Sequence, residues 1–132
     1  MADAGEPAAV ASRFVEAFSA ADLDRMRTML AEELVAYVTD ADGEPERVSG
    51  RDAFLGRIEA MDLSSARFSV ELTQAPVVVD PDRVLAMVEV RAWRGDRSLH
   101  NFAAHLLRIA DRRITEWRMV DAKPAESAAF WS

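Results

Sequence analysis

The sequence predicts an α+β domain in which helices pack on one face of a bent antiparallel sheet. Apolar residues recur at helical spacing only in the first half of the chain, at Val10, Phe14, Val15 and Phe18 and again at Phe54, Leu55 and Ile58. After Asp62 the pattern is all strand, broken by turn signals at Asp80-Pro81-Asp82, Gly95-Asp96 and Asp111-Arg112. Helices followed by a run of strands is the order of segregated α+β layers. The concave side of such a sheet, closed by helices, forms a pocket.

Each element has its own warrant. Residues 1–7 are small and polar and are expected to be disordered. The first helix spans Ala8–Ser19. Asp22 is a good N-cap for a second, running to about Ala31 and burying Leu23, Met26, Met29 and Leu30. "ELVAYVTD" turns strand-like, and "DADGEPERVSG" reads as a loop or irregular hairpin. Ser49 or Gly50 opens a third helix over Arg51–Met61. Strands follow over about 66–79, 84–94, 97–109 and 113–121. The tail, 123–132, ends on Phe130-Trp131 and is expected to dock.

Composition narrows the function. A chain of 132 residues, half of them hydrophobic and 30% charged, is that of one globular domain. The formal net charge of −7 argues against nucleic acid or an anionic membrane surface as partner. Arg108, Arg112, Arg113 and Arg118 cluster late but alternate with apolar residues, as solvated strand edges do. The sequence has no cysteine, which removes disulfides, thiolate zinc sites and a cysteine nucleophile. "MADAGEPAAV" has neither a basic n-region nor an apolar h-region, and no apolar run approaches the ~18 residues of a membrane span. A cytoplasmic location is the expectation. Five glycines, at 5, 43, 50, 56 and 95, form no dinucleotide or phosphate-binding fingerprint. Asp40, Asp42, Glu44 and Glu46 suggest a calcium loop only superficially, since Pro45 interrupts and the glycine is misplaced. No metal and no cofactor is implied.

The most informative stretch is "VLAMVEVRAWRG", residues 84–95. Alternation puts Val84, Ala86, Val88, Val90 and Ala92 on one side and Leu85, Met87, Glu89, Arg91 and Trp93 on the other. Met87 and Trp93 are poor choices for a solvated surface, so the second side either faces water as an ion pair or lines a pocket. A two-residue turn at Gly95-Asp96 pairs Glu89 with Phe102 and Arg91 with His100. A three-residue loop or a bulge instead gathers Glu89 and Arg91 with Asn101, Ala103, His105, Leu107 and Ile109. The second register is favoured, because it collects the polar groups on one face.

"RFVEAFSAADLDRMRTML", "VSGRDAFLGRI", "VELTQ" and "HLLRIADRRITEWRMVD" resemble stretches of the ketosteroid isomerase-like and SnoaL-like polyketide cyclase families of the nuclear transport factor 2-like superfamily. The resemblance covers about residues 8–122. It implies a cone-shaped α+β barrel, with three N-terminal helices packed on a strongly bent, mostly antiparallel sheet. It also implies a deep apolar pocket, a homodimer, and small organic substrates handled without a cofactor. The isomerase machinery does not carry over: its tyrosine falls on Phe14, its base on Val38 with Asp40 two residues on, and its protonated aspartate on His105. In the limonene epoxide hydrolase branch the acidic strand residue falls on Glu89, the partner arginine on Met87 and the second aspartate on Met119. Both families place the equivalents of Met87, Glu89 and Arg91 in the pocket, in agreement with the favoured register.

The expected site therefore has Glu89, His105, Arg91 and Asp40 as catalytic groups. Phe14, Val38, Met87, Trp93, Asn101, Trp117 and Met119 line it, with Asp121 nearer one rim. A carboxylate and an imidazole converging on one cavity suit proton abstraction beside a carbonyl or activation of water. The enzyme classes expected are cyclase, isomerase, dehydratase or epoxide-opening enzyme, not a true steroid isomerase. A non-catalytic binding pocket for an apolar metabolite and a protein-interaction module using the sheet stand as alternatives. With Glu89 inward, Val84, Ala86, Val88, Val90, Phe102, Ala104 and Leu106 form an outer apolar face. A homodimer through that face is expected.

Overall fold

The structure is a computed structural model that describes residues 6–132. Helix α1 (Glu6–Ser19) buries Val10, Ala11, Phe14, Val15 and Phe18 along one stripe. It begins two residues before Ala8, with Pro7 in its first turn, where a missing N–H costs nothing. The expectation of a disordered start therefore fails for Glu6 and Pro7, and for Met1–Gly5 it lies outside the described residues. Asp22 caps α2 (Leu23–Thr28) by accepting the Arg25 N–H at 3.1 Å. This helix stops three residues short of Ala31 because Leu30 and Ala31 belong to β1 (Leu30–Thr39). There the Met29 carbonyl accepts from Ile114 N–H at 2.8 Å, and Leu30 and Leu34 are fully buried. Tertiary pairing overrides the local helical pattern.

The acidic loop is a hairpin. Asp40 Oδ1 accepts the N–H groups of Asp42 and Glu44, both at 2.9 Å, and the chain returns as β2 (Pro45–Ser49) with Glu46 opposite Val38. Gly50, at φ +98°, turns the chain into α3 (Arg51–Ala60), which buries Phe54, Leu55 and Ile58. After a 3-10 turn (Leu63–Ala66), the strand expected over 66–79 divides into β3 (Ser69–Leu72) and β4 (Val77–Asp80). Pro76, which has no N–H to donate, stands between them. Both pair with β5 (Arg83–Arg94), which continues into β6 (Arg97–Ala110), β7 (Arg113–Asp121) and a fourth helix, α4 (Pro124–Trp131). The sheet runs β2-β1-β7-β6-β5-β3, with β4 also on β5, and only the β1–β7 pairing is parallel.

The β5–β6 register settles which side of "VLAMVEVRAWRG" is inside. Arg94 stands opposite Arg97, so the turn has two residues, and Gly95 takes the positive φ of 62° that its first position asks for. Glu89 pairs with Phe102, Arg91 with His100, Val90 with Asn101 and Ala86 with His105. This is the register that the sequence reading did not favour. Val84, Ala86, Val88 and Ala92 are at most 1% exposed; Val84 and Val88 pack in the core that α1 shares with the sheet, and Ala92 in a smaller cluster with Ala66, Leu99 and Phe130. Glu89 and Arg91 lie on the convex side.

Phe14 is fully buried and meets Phe18 edge-on at 6.0 Å. It is a core residue. Phe14→Ala is expected to lower unfolding free energy by about 3–5 kcal/mol, measured by urea denaturation; a loss below ~1 kcal/mol would show that the site is not packed this way.

Candidate functional site

The concave face of the sheet, α3 and α4 enclose a cavity of about 400 Å³. β1 and β7 bring Val38, Thr39, Trp117, Met119 and Asp121 to it; β6 brings Asn101, Ala103 and His105. Phe18, Phe54, Ile58, Phe68 and Val90 make the walls apolar, and Ser127, Ala128 and Trp131 of α4 close one side. Asp40, Glu46 and Arg57 stand among the lining groups as well.

Asn101 and His105 are the two buried polar side chains of the described residues, each 3% exposed, and both line this cavity. Their situations differ. Asn101 Nδ2 donates to Asp121 Oδ1 at 2.5 Å and to Ser127 Oγ at 2.8 Å, while its Oδ1 accepts from Phe102 N–H at 2.8 Å. Its hydrogen-bonding capacity is used in holding β6, β7 and α4 together. Asp121 Oδ1 also accepts the Lys123 N–H at 2.8 Å, which leaves Oδ2 without a partner among the described residues. His105 makes no hydrogen bond to any described residue. Its ring meets Trp117 edge-on, with centroids 4.8 Å apart, and Trp117 in turn meets Phe54 at 4.7 Å. The Trp117 indole N–H is buried without an acceptor among the described residues.

Burial pushes the His105 imidazole down to about 4, and the Asp121 carboxylate opposes that shift. Both face inward: His105 stands opposite Met119 and Asp121 opposite Ala103, so the two are diagonal neighbours across β6–β7. Such neighbours lie about 7–8 Å apart, room for part of a substrate between them. At neutral pH the imidazole is therefore an unprotonated base in an apolar chamber.

Of the twelve site residues read from the sequence, the structure brings together His105, Asp40, Val38, Asn101, Trp117, Met119 and Asp121. Phe14 lies behind the wall, in the core. Glu89, Arg91, Met87 and Trp93 are outside, because the in-phase hairpin turns their face to solvent. There Glu89 Oε2 accepts from His100 Nε2 at 2.6 Å and from Arg91 at 2.7 Å. The His100 hydrogen bond, with Arg91 in support, holds the Glu89 carboxyl below its ordinary range. Sequence reading missed Ser127 and Trp131, whose only signal was the apolar end of the tail. It also missed Glu46 and Arg57, which an acidic loop and a helix face conceal. Among the described residues no group of three or more His, Asp or Glu is placed to hold a metal ion, and no helix is long and apolar enough to cross a membrane.

Helices closing the concave face of a bent sheet, with a mostly apolar chamber and an inward imidazole, are the features that the comparisons with known proteins have to match. Residues 11–117 match the model of the SnoaL-like domain, and the chain belongs to that family. Solved structures share the cone-shaped fold at low identity. Bal32a from a soil-derived mobile gene cassette superposes with a TM-score of 0.84 at 17% identity, covering 98% of this chain and 99% of its own. An LEH-like epoxide hydrolase of M. tuberculosis gives 0.76 at 19%, covering 96% and 92%. A candidate SnoaL-like polyketide cyclase from Jannaschia sp. CCS1 gives 0.78 at 14%, covering 100% and 96%. No curated relative matches the chain.

The shift of His105 has a thermodynamic signature. The unfolded imidazole takes up a proton near pH 6.5 and the folded one near 4, so between those values the unfolded state binds more protons. Stability is then expected to rise by roughly 3 kcal/mol as pH goes from 4 to 6.5, and to be insensitive to this group above that. The difference between wild type and His105→Gln in urea midpoints across this range isolates the contribution. Parallel curves would place the imidazole in contact with water.

Proposed function

We propose that the protein is a cofactor-independent acid/base enzyme acting on a small, largely apolar molecule, with His105 as proton acceptor and Asp121 as its partner. The observation that carries this reading is a buried, unprotonated imidazole with no hydrogen-bond partner among the described residues, facing an apolar cavity. A structural histidine is satisfied by its surroundings; this one is complementary to something that enters. Proton transfer from a carbon beside a carbonyl to the imidazole, and its return to a second position, is the step that the pair supports. That step serves cyclisation, isomerisation and dehydration alike, and the same base activates water for epoxide opening. The neighbours named as epoxide hydrolase and candidate cyclase are compatible with that range. A binding protein on the same fold is the second reading, favoured by Phe14 and Val38 standing where the isomerase-like family has its tyrosine and base.

The test is exchange of α-protons of a bound ketone, followed by NMR in deuterated water. His105→Gln is expected to slow exchange by about 10²–10⁴-fold while leaving ligand affinity within a few-fold. Wild-type kcat/KM is expected to fall below about pH 4, where the imidazole protonates, and to be flat above it. Binding without exchange in the wild type would establish the binding-protein reading.

The assembly proposed is a two-fold homodimer through the convex face of β5 and β6. The valine row expected at that interface is buried inside the subunit, so the surface differs: Met87, Trp93 and Phe102 are 39%, 43% and 43% exposed on the face of the Glu89–Arg91–His100 cluster, and Val120 on β7 is 67% exposed. Each copy presents both a carboxylate and a guanidinium, which a two-fold axis can set against each other. Light scattering is expected to give a dimer at micromolar concentration and a monomer for Trp93→Glu/Phe102→Glu. A monomeric wild type would remove this interface.

A further inference from the structure

The ionic side chains that line the cavity are unequal in sign. Asp40, Glu46 and Asp121 are carboxylates, and Arg57 is the one guanidinium among the described residues that line it. Asp40 and Asp121 end neighbouring strands, which Thr39 stitches: its hydroxyl donates to the Met119 carbonyl at 3.0 Å and accepts the Asp121 N–H at 3.2 Å. Glu46 stands on β2 opposite Val38, whose side chain also faces the cavity. Arg57 reaches across from α3 and meets Glu46 as a fork, 2.9 Å from one terminal nitrogen to Oε2 and 3.3 Å from the other to Oε1. Both terminal nitrogens of the one guanidinium among the described lining residues are thus spent on a carboxylate of the protein. At the other end of the polar strip His105 is buried, uncharged and without a hydrogen-bond partner among the described residues, which marks the chamber as a ligand site.

Among the described lining residues an anionic ligand would meet two unopposed carboxylates, no available guanidinium, and a neutral imidazole. We propose that the cavity selects uncharged or cationic apolar molecules and rejects carboxylates, and that Glu46 sets this selectivity by occupying Arg57. This rests on the cavity being the ligand site, and it narrows the substrate class: a ketone, alcohol or amine on an apolar body, not a carboxylic acid. The Arg57–Glu46 pair is about half exposed on each side, so it contributes little to stability and can be changed without unfolding the domain.

The test uses three probes of one shape, cyclohexylmethylamine, cyclohexylmethanol and cyclohexanecarboxylate, titrated into the full chain at pH 7. The indole resonances of Trp117 and Trp131, both of which line the cavity, report binding. In the wild type the amine and alcohol are expected to bind, with the carboxylate at least about tenfold weaker. Glu46→Gln releases Arg57, and should raise carboxylate affinity about tenfold while weakening the amine. In Glu46→Gln/Arg57→Met that gain should vanish, which traces it to the guanidinium. A wild-type carboxylate affinity equal to that of the alcohol, or an unchanged order in Glu46→Gln, would overturn the selectivity while leaving the cavity and its proposed chemistry standing. No indole shift with any of the three probes would overturn the cavity as a ligand site, and both readings with it.

Discussion

Everything about the site depends on the two-residue turn at Gly95-Asp96. Side chains alternate strictly along a strand, so a hairpin slipped by one residue would exchange every inward group of β6 for an outward one relative to β5. Energetics favours the observed phase. Burying a valine side chain contributes about 1.5–3 kcal/mol, and Val84 and Val88 are both buried together with Ala86 and Ala92. The opposite phase would have gained an interior ion pair, whose desolvation offsets its attraction, and would have left the valines to water. As a surface pair Glu89–Arg91 contributes ~0–1 kcal/mol. The valine row wins, and β6 follows it: Asn101 and His105 are carried to the concave side because Leu99 and Leu107 are.

That shared face gives the two buried polar residues opposite roles. Asn101 is saturated, with two donors placed and its oxygen taken, so it acts on the site by fixing Asp121 and α4. His105 is unsaturated, and its desolvation is uncompensated by any bond within the described residues. The ring rests edge-on against Trp117, which in turn meets Phe54, so packing and not hydrogen bonding sets its orientation. Uncompensated burial is what keeps the imidazole unprotonated at neutral pH.

The architecture was legible because it is written in periodicity. The Asp22 cap, the Gly50 start of α3, and the turns at Asp80-Pro81-Asp82, Gly95-Asp96 and Asp111-Arg112 all stand where local chemistry puts them. Element ends were less so: Leu30 and Ala31 fit a helix by spacing but are claimed by Ile114 and its strand, a partner over eighty residues away. The site was legible in part. Each strand supplied its faces, and seven of the twelve residues reached the cavity, but choosing which face was inward required the phase of a turn. Met87 and Trp93 on a charged face argued for a pocket, whereas they crown an exposed convex surface. Contributions from α4 and from the Glu46–Arg57 pair had no local signature, since nothing in a loop or a tail reveals what it will be folded against.

The C-terminal helix shows how little of that wall belongs to the helix itself. Eight residues are too few to hold a helix in isolation, so α4 exists through its docking. Arg94 ties it to the rest of the domain: its guanidinium donates to the carbonyls of Phe130 in α4 and Met61 after α3 at 3.1 and 3.0 Å and lies 5.3 Å from the centroid of the Trp131 ring. A cation at the last turn also complements the negative end of the helix dipole. Arg94 flanks the same turn that sets the β5–β6 phase. The residue pair that decides which face is inward thus sits beside the residue that anchors the helix closing that face, and Ser127 on this helix completes the hydrogen bonds of Asn101. The phase of the hairpin, the closure of the cavity and the placement of Asp121 are consequently one structural decision, made at one end of the sheet.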